Sequence, residues 1–135
     1  MKFLLDTDTC IYILKGRPEF VTKLKAHTPN EFAVSAMTKA ELFFGALSRY
    51  KDAAKRIRDL EAFLEPFAIL PFDTDAAGHH ATHRVALKSS PIGERDLVIA
   101  STALAHRLTV VTHNQREFCR LVKLKTVDWF VETKN

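Results

Sequence analysis

A chain of 135 residues, 47% hydrophobic and 27% charged, is long enough to enclose a hydrophobic core and reads as one domain spanning residues 1–135. With only 4 Gly and 5 Pro it is no low-complexity chain, and its two cysteines, Cys10 and Cys119, form no CxxC pattern or disulfide framework, which fits a reducing cytosol. The net charge of +4 and pI near 9.2 favour a polyanionic partner such as nucleic acid, although many basic proteins bind none.

Four residues precede Leu5, too few for the core of a signal peptide. No apolar run approaches the roughly 20 residues of a membrane span. The expectation is a cytoplasmic protein with no membrane partner.

Phe3, Leu4 and Leu5 form a continuous apolar run, suited to a strand buried on both faces of a parallel sheet. It stops at Asp6, with a second carboxylate at Asp8. Ligands of open α/β sheets bind beyond the carboxyl ends of the strands, so Asp6 points to where chemistry is expected. An N-cap for the following helix is an equal reading. That helix covers 7–14 and ends at Gly16 and Pro18; a second covers 19–27, with Phe20, Val21 and Leu24 opposite Lys23 and Lys25. Thr28-Pro29-Asn30 breaks the pattern, and residues 32–35 read as the second strand.

A long helix follows over 37–49, with Met37, Ala40, Phe44 and Leu47 at helical spacing and Glu41 on the same stripe. A carboxylate there is costly unless paired, bound to a cation, or close enough to an edge to reach water. Residues 50–65 form an amphipathic helix whose apolar members are Ala54, Ile57, Leu60, Ala62 and Leu64. Lys51, Lys55, Arg56 and Arg58 make its outer face basic, as for nucleic acid or for a solvated surface. The third strand is 67–70. A helix over 73–88 carries His79, His80 and His83; the first and last are four apart, a zinc-compatible spacing, but without a third ligand they read as helix surface.

After the loop at 89–93, the helix over 94–107 is the most hydrophobic of the chain. Asp96 shares a face there with Ile99, Ala100, Ala103 and Leu104, repeating the oddity of Glu41. Residues 109–112 form a fourth buried strand, followed by His113 and Asn114. A short helix over 115–121 holds Arg116, Glu117 and Arg120; 124–127 is a fifth, edge strand; and Trp129, in the tail 128–135, packs back on the domain.

Short strands alternating with helices argue for a parallel sheet covered on both faces. Asp6, Glu41 and Asp96 then gather along one edge, with Asn114 and Glu117 nearby. Converging carboxylates repel one another, and a hard divalent cation with oxygen ligands resolves the repulsion.

Four blocks carry a resemblance that runs from Lys2 to about Trp129: LLDTD, SAMTKAELFFG, PIGERDLVIAS and VTHNQREF. In this order they resemble PIN-domain ribonucleases, and among these the VapC-type toxins of bacterial toxin–antitoxin pairs. The resemblance implies a three-layer α/β/α domain with a mostly parallel sheet of four to five strands. It implies a Mg²⁺- or Mn²⁺-dependent endoribonuclease that cleaves cellular RNA, with tRNA a candidate, restrained by a cognate antitoxin and expected as a homodimer. Asp6, Glu41 and Asp96 stand at the family's acidic positions and Asn114 at its fourth, where a neutral residue argues against a tightly held second metal ion. Asp8 orients Asp6 or a metal-bound water; Thr7, Ser35 and Thr112 donate hydrogen bonds, Glu117 assists, and Arg95 and Arg116 steer the RNA backbone.

Two alternatives remain at this level. FLLDTDT also fits the D-x-D-x-T block of haloacid-dehalogenase-like phosphatases, with Asp6 as nucleophile and Asp8 as general acid, although no late acidic pair accompanies it. The other is a non-catalytic PIN-like module that binds RNA through the basic helix around 55–58.

Overall fold

The computed structural model describes residues 1–130, so the last five residues of the tail lie outside the described part. Five strands form one sheet: β1 (Phe3–Leu5), β2 (Phe32–Ser35), β3 (Ala68–Leu70), β4 (Thr109–Val111) and β5 (Thr126–Val127). They lie in the order β3-β2-β1-β4-β5, and every neighbouring pair is parallel, so the sheet is wholly rather than mostly parallel. Seven α-helices connect or follow the strands: α1 (Thr7–Leu14), α2 (Pro18–Lys25), α3 (Ala36–Arg49), α4 (Ala53–Leu64), α5 (Thr74–Ala86), α6 (Glu94–His106) and α7 (Gln115–Phe118). The break at 28–30 opens a short 3₁₀ turn, Pro29–Glu31, closed by a capping box between Thr28 and Glu31.

Alternation along β1 divides the core into two layers. Leu4 joins Ala33, Val110 and the α6 residues Ile99, Ala100 and Ala103 on one face. Leu5 joins Val34, Val111, Phe20, Leu42, Leu60 and Trp129 on the other. Helices therefore cover both faces, as the unbroken apolar run of β1 requires. Trp129 packs edge-on to Phe32 with ring centroids 5.9 Å apart, so this residue does pack back on the domain. Among the described residues no helix is long and apolar enough to cross a membrane.

Several side chains fall elsewhere than periodicity suggests. On α3 the buried residues are Thr38, Leu42 and Ala46, whereas Ala40, Phe44 and Leu47 face outward, Phe44 at 70% exposure. The expected stripe lies on a different face of the helix from the true one, because a buried threonine sits where an apolar residue would mark the core. On α4, Ala54 and Ala62 are exposed; Leu60 and Leu64 carry the contact, with Ala53, Ile57 and Phe63 half-buried beside them. His83 of α5 is buried against α6 rather than on the surface.

The chain turns left of β1 for β2 and β3, then crosses to its right for β4 and β5. Adjacent connections thus leave the sheet in opposite directions beside β1 and β4, which opens a crevice at their carboxyl ends.

Candidate active site

Sheet register assembles the base of this crevice. Leu5 pairs with Val34 on one side and Val111 on the other, so the residues that follow, Asp6, Ser35 and Thr112, lie abreast at the ends of three neighbouring strands. All three are buried. Above them opens a cleft of about 620 Å³ lined by Asp6, Thr7, Asp8, Glu41, Glu94, Arg95, Asp96 and Asn114. Its acids come from segments far apart in the chain, and only the parallel crossovers bring them together.

Asp6 is both a helix cap and a cleft residue, so the two sequence readings were not exclusive. Its Oδ1 accepts the Thr9 N–H at 2.9 Å, starting α1. The Thr9 hydroxyl in turn donates to the Val111 carbonyl at 2.9 Å, tying the helix start to β4. Thr112 Oγ1 accepts the Asn114 N–H at 2.9 Å, and its own proton is left for the Asp6 carboxylate. Burial nevertheless dominates and pushes the Asp6 carboxyl up to about 6; the bonds from Thr112 and Thr9 offset part of it, and the charge of Asp8 adds to it.

Asp96 lies in the first turn of α6, where the helix dipole favours an acid. Its carboxyl is also held above the ordinary range, first by burial and then by the charges of Glu41 and Asp8. Asn114 Nδ2 donates to Asp96 Oδ2 at 3.3 Å and works against that rise.

Glu41 projects from the second turn of α3. Its Oε1 accepts the Thr7 hydroxyl at 2.5 Å, and its Oε2 lies 3.6 Å from Arg95 Nε. Thr7 has one proton, given to the nearer carboxylate, so Thr38 Oγ1, 3.1 Å away, must be its donor. Ser35, the N-cap of α3, accepts the Thr38 N–H and lies 3.3 Å from the Thr38 hydroxyl. Ser35, Thr38 and Thr7 thus make a chain of hydroxyls ending on Glu41. Thr38 and Thr9 were not singled out from the sequence, yet both are fully buried supports of the acids. Their signal was spacing: each stands three residues after a helix cap, at Ser35 and Asp6.

The remaining residues divide. Asp8 is exposed at the mouth and Asn114 lines the cleft. Arg95 reaches the cleft but pairs with Glu41. Glu117 does not line the cleft; it accepts from Arg120 at 2.8 Å, although its charge still raises Asp96. Arg116 is exposed outside the cleft lining.

Among the described residues no three Asp, Glu, His or Cys side chains are arranged to hold a metal ion as they stand. Their oxygens are engaged by Thr9, Thr7, Arg95 and Asn114 instead. The donor set is nevertheless the one a hard cation takes, carboxylates and a carboxamide with no sulfur or imidazole. Two of its acids are held above their ordinary range, a condition that a cation in the cleft would relieve.

Residues 3–124 match the PIN domain family. The chain is 34% identical to the tRNA(fMet)-specific endonuclease VapC of Salmonella typhimurium, covering 96% of this chain and 98% of that protein. It is equally 34% identical, with the same coverage, to ribonuclease VapC2 of Haemophilus influenzae. Its fold superposes with a TM-score of 0.87 on DNA-bound VapBC from Salmonella typhimurium at 34% identity, covering 96% of this chain and 98% of that one. For VapBC2 of Rickettsia felis bound to a promoter DNA fragment the TM-score is 0.84 at 31% identity, covering 96% and 99%.

Proposed function

Because this chain belongs to the PIN-domain family, among the VapC ribonucleases, we propose that it is a metal-dependent endoribonuclease toxin whose active site is the acidic cleft. The observation that carries the reading is the convergence of Asp6, from the end of β1, Glu41, from the second turn of α3, and Asp96, from the first turn of α6, on one cleft.

Asp6, Asp96 and Glu41 would hold a divalent cation, Mg²⁺ or Mn²⁺. When bound, such an ion supplies Lewis acidity at the scissile phosphate and lowers the pKa of water. The residues of the chain do the rest. Thr112 and Thr9 fix the Asp6 carboxylate from below, and the Asn114 amide sets the plane of Asp96. The hydroxyl chain through Thr38 and Thr7 aims Glu41. Asp8, at the mouth, adds negative charge that favours a cation and disfavours a naked phosphate. Arg95, released from Glu41, reaches the backbone of the bound strand, and Arg116 lies far enough out to meet only flanking phosphate. Hydrolysis leaves a 3′-hydroxyl and a 5′-phosphate.

The relatives' names support tRNA as the substrate class and an antitoxin as the partner that restrains the enzyme. A homodimer belongs to the same reading, and the outward Phe44 and Leu47 offer apolar surface for a partner chain. The phosphatase alternative is set aside by the family match, and Asp6, 5% exposed and bonded from below, is poorly placed as a nucleophile. A non-catalytic module is disfavoured because the matched relatives are named as nucleases.

Glu41→Gln and Asp96→Asn test the assignment. Each should lose cleavage of tRNA in Mg²⁺ or Mn²⁺ by at least about a thousandfold, as expected for groups that act on the transition state, while circular dichroism shows the parent fold. Cleavage at the parent rate by either variant refutes it.

A further inference from the structure

The cleft has the wrong sign for its proposed substrate: Arg95 is the one cation among five lining acids, Asp6, Asp8, Glu41, Glu94 and Asp96. The chain's basic excess lies elsewhere, and it is concentrated. Residues 49–58, RYKDAAKRIR, hold five of the 20 basic residues and one of the 16 acidic ones, so outside this stretch positive and negative charges balance at fifteen each. The net charge of the protein is therefore the charge of one corner, where α3 ends and α4 begins.

Arg49, Lys51, Lys55, Arg56 and Arg58 are all exposed. Lys55 alone of the five has a carboxylate partner among the described residues, Asp59 at 3.2 Å on the open helix surface, a pair of little worth. The guanidinium carbon of Arg56 lies 4.0 Å from the centroid of the Tyr50 ring, a cation–π contact that leaves its N–H groups unpaired with any carboxylate among the described residues. Beside it is a hollow of about 240 Å³ lined by Tyr50, Lys51, Asp52, Lys55 and Arg56. Along α4 the charges are segregated by sign: Lys55, Arg56 and Arg58 stand in its first half, Asp59 and Glu61 in its second, so the basic end is not neutralised within its own turns.

We infer that the α3–α4 corner is a second RNA-binding site, which grips the phosphate backbone of a folded RNA away from the cleavage point. It rests on the ribonuclease reading above and deepens it. Arg49 stands eight residues after Glu41 on α3, about 12 Å along the helix axis. One rigid helix thus fixes the distance between the cutting cleft and the anchor, and an RNA backbone held at the corner lies within reach of the cleft. The corner supplies the attraction that the cleft lacks, holding the strand until Arg95 and the bound cation take over locally.

The test uses the full chain carrying Asp96→Asn, without divalent ions, and fluorescein-labelled unfractionated tRNA followed by anisotropy over a salt series. Lys51→Gln, Arg56→Gln and Arg58→Gln together should weaken binding about tenfold at low salt and reduce the slope of log Kd against log salt by about 2–3, the loss of three phosphate contacts. The charge-matched control Lys15→Gln, Lys25→Gln and Lys123→Gln, on exposed positions elsewhere, should leave the slope near the parent's. A corner variant with the parent slope, or equal weakening by both triples, overturns the inference. So does tight binding of polyglutamate in place of tRNA, which would mark a site for acidic protein. If the Asp96→Asn chain still cuts RNA when Mg²⁺ is restored, the placement of the active site in the acidic cleft fails while the binding result stands on its own.

Discussion

Asp6→Asn should make the protein more stable as it abolishes its activity. In the folded chain burial raises the Asp6 carboxyl from 3.8 to about 6, so the folded state holds this proton more tightly than the unfolded state does. Stability contributed by the group is therefore greatest below pH 4, declines as pH rises from about 4 to 6, and stays low above. The full difference amounts to about 3 kcal/mol at pH 7.5, and about half is already present at pH 5. Asparagine removes the charge yet caps a helix as well as aspartate does, so the bond to the Thr9 N–H survives. Urea unfolding in EDTA should show the variant more stable by about 2–3 kcal/mol at pH 7.5, with the advantage shrinking toward pH 5. Adding Mn²⁺ should raise the melting temperature of the parent and leave that of the variant in place. A variant no more stable than the parent, or a gain independent of pH, would refute the account of Asp6 as a desolvated acid.

Arg95→Gln removes the cation that competes for Glu41, so the affinity for Mn²⁺, measured calorimetrically, should rise severalfold while the affinity for RNA falls. Thr7→Val breaks the hydroxyl chain at its last link; stability should drop by about 1–2 kcal/mol by urea unfolding, and tRNA cleavage by at least about tenfold. Trp129→Ala, which empties a site packed against Phe20 and Phe32, should cost about 3–5 kcal/mol without altering cleavage by the protein that remains folded. For the proposed homodimer, light scattering should return twice the 15.3 kDa chain mass; a monomer at all concentrations would reject it.

The sheet was legible because its signals are dense. Runs such as Phe3–Leu5 and Thr109–Val111 are apolar without alternation, and in a sheet with helices on both faces nothing else is allowed there. Asp96 was legible because it shares a face with Ile99, Ala100 and Ala103, which are indeed buried, whereas Glu41 was singled out on a stripe, Met37, Ala40, Phe44 and Leu47, that mostly faces outward. What escaped was the polar scaffold between them. Thr38 and Thr9 look like any helix threonine, and their value lies in bonds across 31 and 102 residues of sequence that no local pattern records. The same blindness misplaced the α3 stripe: a threonine that satisfies its hydroxyl internally is as buried as a leucine, whereas Phe44 is exposed however apolar it looks. Charge was partly legible: the basic face of residues 50–65 was read from the sequence, and the fold adds that Arg49 of α3 is exposed at the same corner and that Arg56 stacks on Tyr50.

The central strand has an unusual history during synthesis. β1 is made first, but its neighbour β4 arrives more than a hundred residues later, and the bond from Thr9 to Val111 spans 102 positions. Until β4 leaves the ribosome, Asp6 has neither Thr112 beneath it nor Asn114 across from it, and one edge of β1 is unpaired. The supports of the cleft carboxylates are therefore complete only once residues 109–114 have joined the sheet. Closing so distant a contact is also slow compared with forming the helices, so the cleft is among the last features of the fold to be completed.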